Sequence, residues 1–109
     1  MGLFDFLKKS GADINKAEEY LAANPAAILL DVREPGEYAG GHIPGSRNVP
    51  VGKIRAGEAE LPADKDTPIY VYCQSGGRSR MAAGALKNAG FTAVTDLGGI
   101  MMYHGRKVK

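Results

Sequence analysis

Residues 69–80 read IYVYCQSGGRSR and place Cys73, the single cysteine of the chain, between an apolar run and a glycine-rich turn. The run at 69–72 is short, continuous and apolar, a pattern typical of a parallel strand buried on both faces. Residues 80–88 then carry apolar side chains at helical spacing, and Gly90 is placed to end that helix. The order strand, turn, helix predicts one unit of an α/β fold, with Cys73 at the carboxyl end of its strand.

The same alternation continues outward from this stretch in both directions. Further strands are predicted at residues 27–30, 47–49 and 93–95, and further helices at 16–23 and 34–38. Because strands and helices alternate along the whole chain, the sequence predicts an α/β fold with a mostly parallel sheet.

Composition restricts the class of protein and of site. The chain has 109 residues, 44% hydrophobic and 24% charged, which indicates one globular domain. Fourteen Lys and Arg against twelve Asp and Glu give a net charge of +2. This excess is too small for a nucleic-acid-binding protein, so we expect no nucleic-acid partner, but it suits a small anionic substrate. One cysteine excludes an internal disulfide, a CxxC redox pair and a multi-cysteine metal site.

The N-terminus carries neither a membrane span nor a signal peptide by sequence. No stretch approaches the roughly eighteen apolar residues of a membrane helix, and the first residues lack a continuous apolar run. We therefore expect a cytoplasmic protein with no membrane partner. Residues 1–13 are interpreted as a short amphipathic segment before a domain at 14–109, since Leu3, Phe4 and Leu7 line one side of a helix. This segment either pads the domain or docks a partner or a membrane surface.

The turn after Cys73 has the composition of an anion-binding cup. Ligands in open α/β sheets bind outside the carboxyl ends of strands. Gly76 and Gly77 allow successive N–H groups to point into one space, and the helix that follows adds its positive end. Arg78 and Arg80 add formal charge. Such surroundings lower the pKa of a thiol from its usual value of about 8.5, which predicts a reactive thiolate. The alternative is a buried structural cysteine that packs as a small hydrophobic residue.

Two blocks of sequence carry a family resemblance. LLDVREPGEYAGGHIPGSRNVP at 29–50 and YVYCQSGGRSRMAAGALKNAGF at 70–91, followed by DLGGI at 96–100, resemble the single-domain rhodanese family of sulfurtransferases. The resemblance covers residues 14–109 and implies a rhodanese-like domain with a five-stranded, mostly parallel sheet and helices on both faces. It implies that Cys73 is a nucleophile that carries a persulfide, wrapped by an active-site loop of Gln74, Ser75, Gly76, Gly77 and Arg78.

The spacing of this loop separates related chemistries. Four residues lie between Cys73 and Arg78, whereas phosphatases of the Cys-x5-Arg type have five. A shorter loop closes a smaller ring of N–H groups, better sized for a terminal sulfur than for phosphate or arsenate. We therefore expect a thiosulfate-type sulfurtransferase that passes sulfane sulfur from a small anionic donor to cyanide, a thiol or a protein. The resemblance implies no metal and no organic cofactor. The alternatives are a non-catalytic sulfur-carrier or interaction module and, less favoured, a phosphatase or arsenate reductase relative.

Polar residues outside the loop are given structural roles. We expect an ion pair between Arg33 and Glu37, with Asp31 bonded to loop backbone, although all three match the family's opening motif and alternatively form part of the site. His42, in the rigid turn GHIPG, is expected to make a hydrogen bond that fixes the loop. Tyr103 stands where the family often has a tryptophan, which puts a different residue at the expected acceptor entrance.

Overall fold

A computed structural model describes residues 12–109 of the chain. The amphipathic segment predicted at 1–13 lies outside the described residues apart from its last two positions. Within the described part, no helix is long and apolar enough to cross a membrane.

Strands and helices alternate along residues 12–109. The strands are β1 (Ile28–Asp31), β2 (Ser46–Asn48), β3 (Ile69–Cys73) and β4 (Val94–Gly99). The helices are α1 (Ala17–Ala23), α2 (Pro35–Ala39), α3 (Val51–Arg55) and α4 (Gly77–Asn88), with 3₁₀ turns at Ile14–Lys16 and Ile100–Met102.

The sheet of the described residues has four strands in the order β2-β1-β3-β4, and every pair is parallel. This confirms the predicted α/β class, and each strand predicted from the sequence is present. The five-stranded sheet implied by the resemblance is wrong for residues 12–109. The described residues ahead of β1 form a 3₁₀ turn and α1 instead, because the run AEEYLAA consists mostly of good helix formers.

Side chains of β1 and β3 alternate between two buried layers, which confirms helices on both faces. Leu30 and Val71 face the layer that α3 and α4 cover. Leu29 and Tyr72 face the opposite layer, which α1 and both 3₁₀ turns cover. Since neighbouring residues of a strand point to opposite faces, this pattern explains why both strands are continuously apolar.

The carboxyl ends of β3 and β4 meet at one edge of the sheet. Cys73 ends β3 and lies opposite Gly99, after a register shift between Val71 and Cys73. The loop after β1 and the first turn of α2 reach the same edge, as shown by the contacts of Arg33 and Glu37 below. The fold therefore brings separate parts of the chain to Cys73.

Candidate active site

The Cys73 sulfur lies inside a turn of the backbone. Gly76 has a φ of +110°, which lets the chain reverse so that its N–H donates to Cys73 Sγ at 3.0 Å. Helix α4 begins at the next residue, and the N–H groups of Arg78 and Ser79 in its first turn also lower the pKa of Cys73. Backbone N–H groups of the turn and of the first turn of α4 therefore act on a cysteine that is only 1% exposed.

Two opposing effects act on the pKa of the Cys73 thiol. Burial raises it, because the thiolate loses contact with water. Hydrogen bonds from the Ser79 hydroxyl and from the N–H groups of Ser79, Gly76 and Arg78 lower it. These donors prevail, and the pKa of Cys73 lies below its ordinary value. The direction agrees with the expectation from the sequence.

Ser79 is a residue of the site that sequence reasoning missed. It is fully buried, its Oγ donates to the Gly76 carbonyl at 3.1 Å and lies 3.4 Å from the Gly98 carbonyl, and its hydroxyl lowers the pKa of Cys73. A hydroxyl has one proton to donate. Because bonds to an ionised acceptor are stronger, the hydroxyl favours the thiolate form of Cys73, in the direction of the lowered pKa. The available signal was a small hydroxyl residue in the first turn of the helix that follows the loop.

Arg78 binds Glu37 of α2 through two parallel hydrogen bonds. Nη1 donates to Oε1 at 2.6 Å and Nη2 donates to Oε2 at 2.9 Å. The hydrogen bond from Arg78 is the main cause that lowers the pKa of Glu37 to about 2. Since the folded pKa is depressed, the stabilisation that this pair contributes is present above about pH 4.5 and is lost as the pH falls through about 2.

The predicted ion pair between Arg33 and Glu37 is therefore wrong. Arg33 forms its ion pair with Asp31 instead. The Arg33 Nη2 donates to the Asp31 Oδ2 at 2.7 Å, and both side chains are buried. The bond expected from Asp31 to loop backbone is confirmed, because its Oδ1 accepts the Arg33 N–H at 3.0 Å. The charge of Arg78 is correspondingly compensated by Glu37. The backbone and hydroxyl donors, more than a free arginine charge, set the environment of the sulfur.

Arg33 also contacts the active-site loop. Its Nη1 donates to Gln74 Oε1 at 3.4 Å, and its Nη2 donates to the Gly41 carbonyl at 2.8 Å. A buried ion pair at the end of β1 thus touches the residue that directly follows the cysteine. No local sequence pattern predicts this contact, which joins positions 41 residues apart.

The strand β4 supports the loop from beneath. A Cβ added to Gly99 would lie 2.7 Å from Ser75 Cα and still closer to the Gln74 carbonyl oxygen, so only glycine fits there. The N–H of Met101 donates to the same Gln74 carbonyl at 3.2 Å. The Gly-Gly pair in DLGGI therefore permits the loop to pack directly on the strand backbone.

His42 and Tyr103 each make a hydrogen bond that fixes a neighbouring segment of the chain. The Nδ1 of His42 lies 2.8 Å from the Tyr38 carbonyl, and its ring stacks on Tyr38 with 3.6 Å between centroids. This confirms the expected loop-fixing hydrogen bond. Tyr103 is buried in the layer with α1, and its hydroxyl donates to the Arg106 carbonyl at 2.9 Å. It therefore anchors the C-terminal tail.

Comparison with known proteins fits this geometry. Residues 13–105 match the family model of the rhodanese-like domain. The chain belongs to the rhodanese-like family. It is 42% identical over 92 residues to the uncharacterized protein YqhL of Bacillus subtilis, which covers 84% of this chain and 71% of that protein. It is 40% identical over 76 residues to the thiosulfate sulfurtransferase GlpE of Stutzerimonas stutzeri, covering 70% of this chain and 68% of that protein.

The fold is likewise similar to that of a solved structure, a rhodanese from E. coli determined with anions. The two superpose with a TM-score of 0.69 at 33% sequence identity, covering 77% of this chain and 99% of that chain. The family predicted from the sequence blocks at 29–50 and 70–91 is thus confirmed, and this family includes sulfurtransferases.

Proposed function

We propose that this rhodanese-like protein is a thiosulfate-type sulfurtransferase that carries sulfur as a persulfide on Cys73. The observation that carries the proposal is the convergence of N–H donors on one sulfur, represented by Gly76 N–H at 3.0 Å from Cys73 Sγ. Donors fixed by the fold stabilise negative charge on sulfur without reorganising during the reaction. The relative named as a thiosulfate sulfurtransferase supports thiosulfate as the donor.

In the first half-reaction, the Cys73 thiolate attacks the outer sulfur of thiosulfate. A bond forms between Cys73 Sγ and that sulfur, the S–S bond of the donor breaks, and sulfite leaves with the electron pair. The hydrogen-bond donors around the sulfur lower the pKa of Cys73, which increases the fraction present as the attacking thiolate. The N–H groups of the loop at 74–78 then bind the terminal sulfur of the persulfide.

In the second half-reaction, a nucleophilic acceptor attacks the terminal sulfur and Cys73 leaves as the thiolate. A thiol of low pKa is a better leaving group, so the donors that activate Cys73 for attack also assist its release. The transferred sulfur keeps its oxidation state throughout. The cycle therefore balances with a donor and an acceptor alone, without an electron carrier.

The size of the loop supports sulfur transfer over phosphoryl or arsenate chemistry. Four residues separate Cys73 from Arg78, and the donors closest to the sulfur come from Gly76, Arg78 and Ser79. A ring this small suits one terminal sulfur atom. The Arg78 guanidinium pairs with Glu37 through both Nη atoms, so the N–H groups of the loop, rather than this guanidinium, are the groups offered to the sulfur.

Intact mass spectrometry tests the proposal. Thiosulfate without acceptor should add about 32 Da, one sulfur atom, to the chain, and cyanide should remove it. Cys73→Ser, shown to be folded by circular dichroism, should add nothing. Repeated turnover with thiosulfate and cyanide distinguishes an enzyme from a passive sulfur carrier. A Cys73→Ser protein that still accepted sulfur would overturn the mechanism.

A further inference from the structure

A cleft of about 350 Å³ lies beside the active-site loop, between α2 and the C-terminal tail; we call it the tail cleft. Gln74, next to the cysteine, forms part of its wall, as does Glu37, which binds Arg78 of the loop. Met101 and Lys107 line the other side. The cleft has the volume of a small-molecule site and borders the loop that surrounds the sulfur.

Most of the charge around the tail cleft is compensated. The Arg33 guanidinium is paired with Asp31, and the Glu37 carboxylate is paired with Arg78. Lys107 is exposed and forms no ion pair with any residue of the described part of the chain. The lysine ammonium is therefore the uncompensated charge at the cleft, and it favours an anionic ligand.

Two anchors hold Lys107 at this place. On one side, the Tyr103 hydroxyl donates to the carbonyl of Arg106. On the other, Val108 pairs with His42 in an antiparallel bridge, with N–H to carbonyl distances of 2.8 and 2.9 Å. Because both neighbours of Lys107 are bonded to the body of the domain, the lysine is directed to the cleft by the fold.

We propose that the tail cleft binds the carboxylate of a small thiol that accepts sulfur, and that Lys107 determines this specificity. The inference rests on the proposed sulfurtransferase function and names its acceptor class. Lys107 pairs with the carboxylate, while Met101 provides an apolar wall for the carbon chain of the ligand. Gln74, which directly follows Cys73, lines the same cleft, so a ligand bound there lies beside the active-site loop.

The transfer step balances without a further reactant. The acceptor thiolate attacks the terminal sulfur of the Cys73 persulfide and forms a new S–S bond. The bond between Cys73 Sγ and the terminal sulfur breaks, and its electron pair returns to Cys73 as the thiolate. The product is a carboxylate-bearing persulfide.

The test compares two acceptors that differ in the group at issue, 3-mercaptopropionate and 2-mercaptoethanol, with thiosulfate as donor. Lys107→Met keeps the aliphatic chain and removes the charge, so kcat/KM for 3-mercaptopropionate should fall by about two- to fivefold, as for a surface ion pair. The values for 2-mercaptoethanol and cyanide should not change. Lys107→Arg should retain the preference, and added salt should weaken it.

Lys87→Met is the matched control, because it removes the same charge from an exposed position in the last turn of α4. Lys87→Met should leave kcat/KM unchanged for 3-mercaptopropionate, 2-mercaptoethanol and cyanide. If Lys107→Met changed neither thiol, or lowered both equally, the assignment of the tail cleft would be overturned while sulfur transfer to cyanide still supported the proposed function. A parent protein that moved no sulfur to cyanide would overturn both.

Discussion

Gly99→Ala should slow sulfur transfer severely while leaving the protein folded. The added Cβ would lie 2.7 Å from Ser75 Cα and closer still to the Gln74 carbonyl oxygen, whereas non-bonded carbon atoms prefer a separation of about 3.5–4.0 Å. The loop must therefore move by roughly 1 Å. The φ of Gly99 is −112°, a value that alanine adopts freely, so the effect comes from this contact alone.

The size of the effect follows from what the displaced loop carries. Gln74 and Ser75 connect Cys73 to Gly76, whose N–H is 3.0 Å from the sulfur. A misplacement of about 1 Å in a reacting group costs about 100-fold in rate, and loss of one fixed donor costs about 10²–10³-fold. We expect thiosulfate turnover to fall about 100-fold and the pKa of Cys73 to rise, because its donors move away.

Turnover is measured as thiocyanate formed from thiosulfate and cyanide, and the pKa by the pH dependence of alkylation with iodoacetamide. Gly84→Ala is the matched control: an added Cβ there meets nothing within 4 Å. It should keep the parental rate and stabilise α4 by about 0.5–1 kcal/mol, as alanine does in a helix interior. A Gly99→Ala protein with a parental circular dichroism spectrum and parental turnover would refute the argument that β4 positions the loop.

Three further predictions concern side-chain partners of the site. Ser79→Ala removes a donor, so the alkylation profile of Cys73 should move to higher pH and turnover should fall at least about tenfold; an unchanged profile would contradict the assigned hydrogen bond. Arg78→Ala leaves the Glu37 carboxylate uncompensated and should shift the alkylation profile of Cys73 to higher pH. Adding Glu37→Gln should return the profile to the parental pH, because the pair as a whole has little net charge. A double variant whose profile stays at the pH of the single variant would contradict this explanation. Asp31→Ala leaves a buried guanidinium unpaired and should lower the free energy of unfolding in urea by about 3–5 kcal/mol; a loss below about 1 kcal/mol would argue against a buried pair.

The elements of the fold were predictable because their signals are local. The strands at 69–72 and 27–30 are continuous apolar runs; the structure extends the first by one residue to Cys73 and shifts the second by one residue to Ile28–Asp31. Helix α4 begins at Gly77 rather than at residue 80, because the loop passes directly into its first turn. A fifth strand had no apolar run of its own in residues 12–109, and only the resemblance implied it.

The partners within the site were not predictable, because they depend on which loops meet in space. Arg33 and Glu37 are four residues apart, a spacing that suggests an ion pair within a helix. Arg33 precedes α2, however, and is bound by the buried Asp31, which leaves Glu37 for Arg78. The helix predicted at 80–88 leaves Ser79 outside it, and the position of Ser79 in the first turn of α4 follows from the left-handed turn at Gly76.

The active-site loop is fixed at several points by elements that are distant in sequence. Gln74 receives hydrogen bonds from Arg33 and from the backbone of Met101. Arg78, at the other end of the loop, is bound to Glu37 of α2. Between these points the loop rests on β4, where only glycine fits. A loop held at both ends and from beneath keeps its N–H groups in place when charge develops on the sulfur, which is the condition under which fixed donors accelerate a reaction. The glycine-rich motif therefore supplies the donors, and the rest of the sheet edge supplies their rigidity.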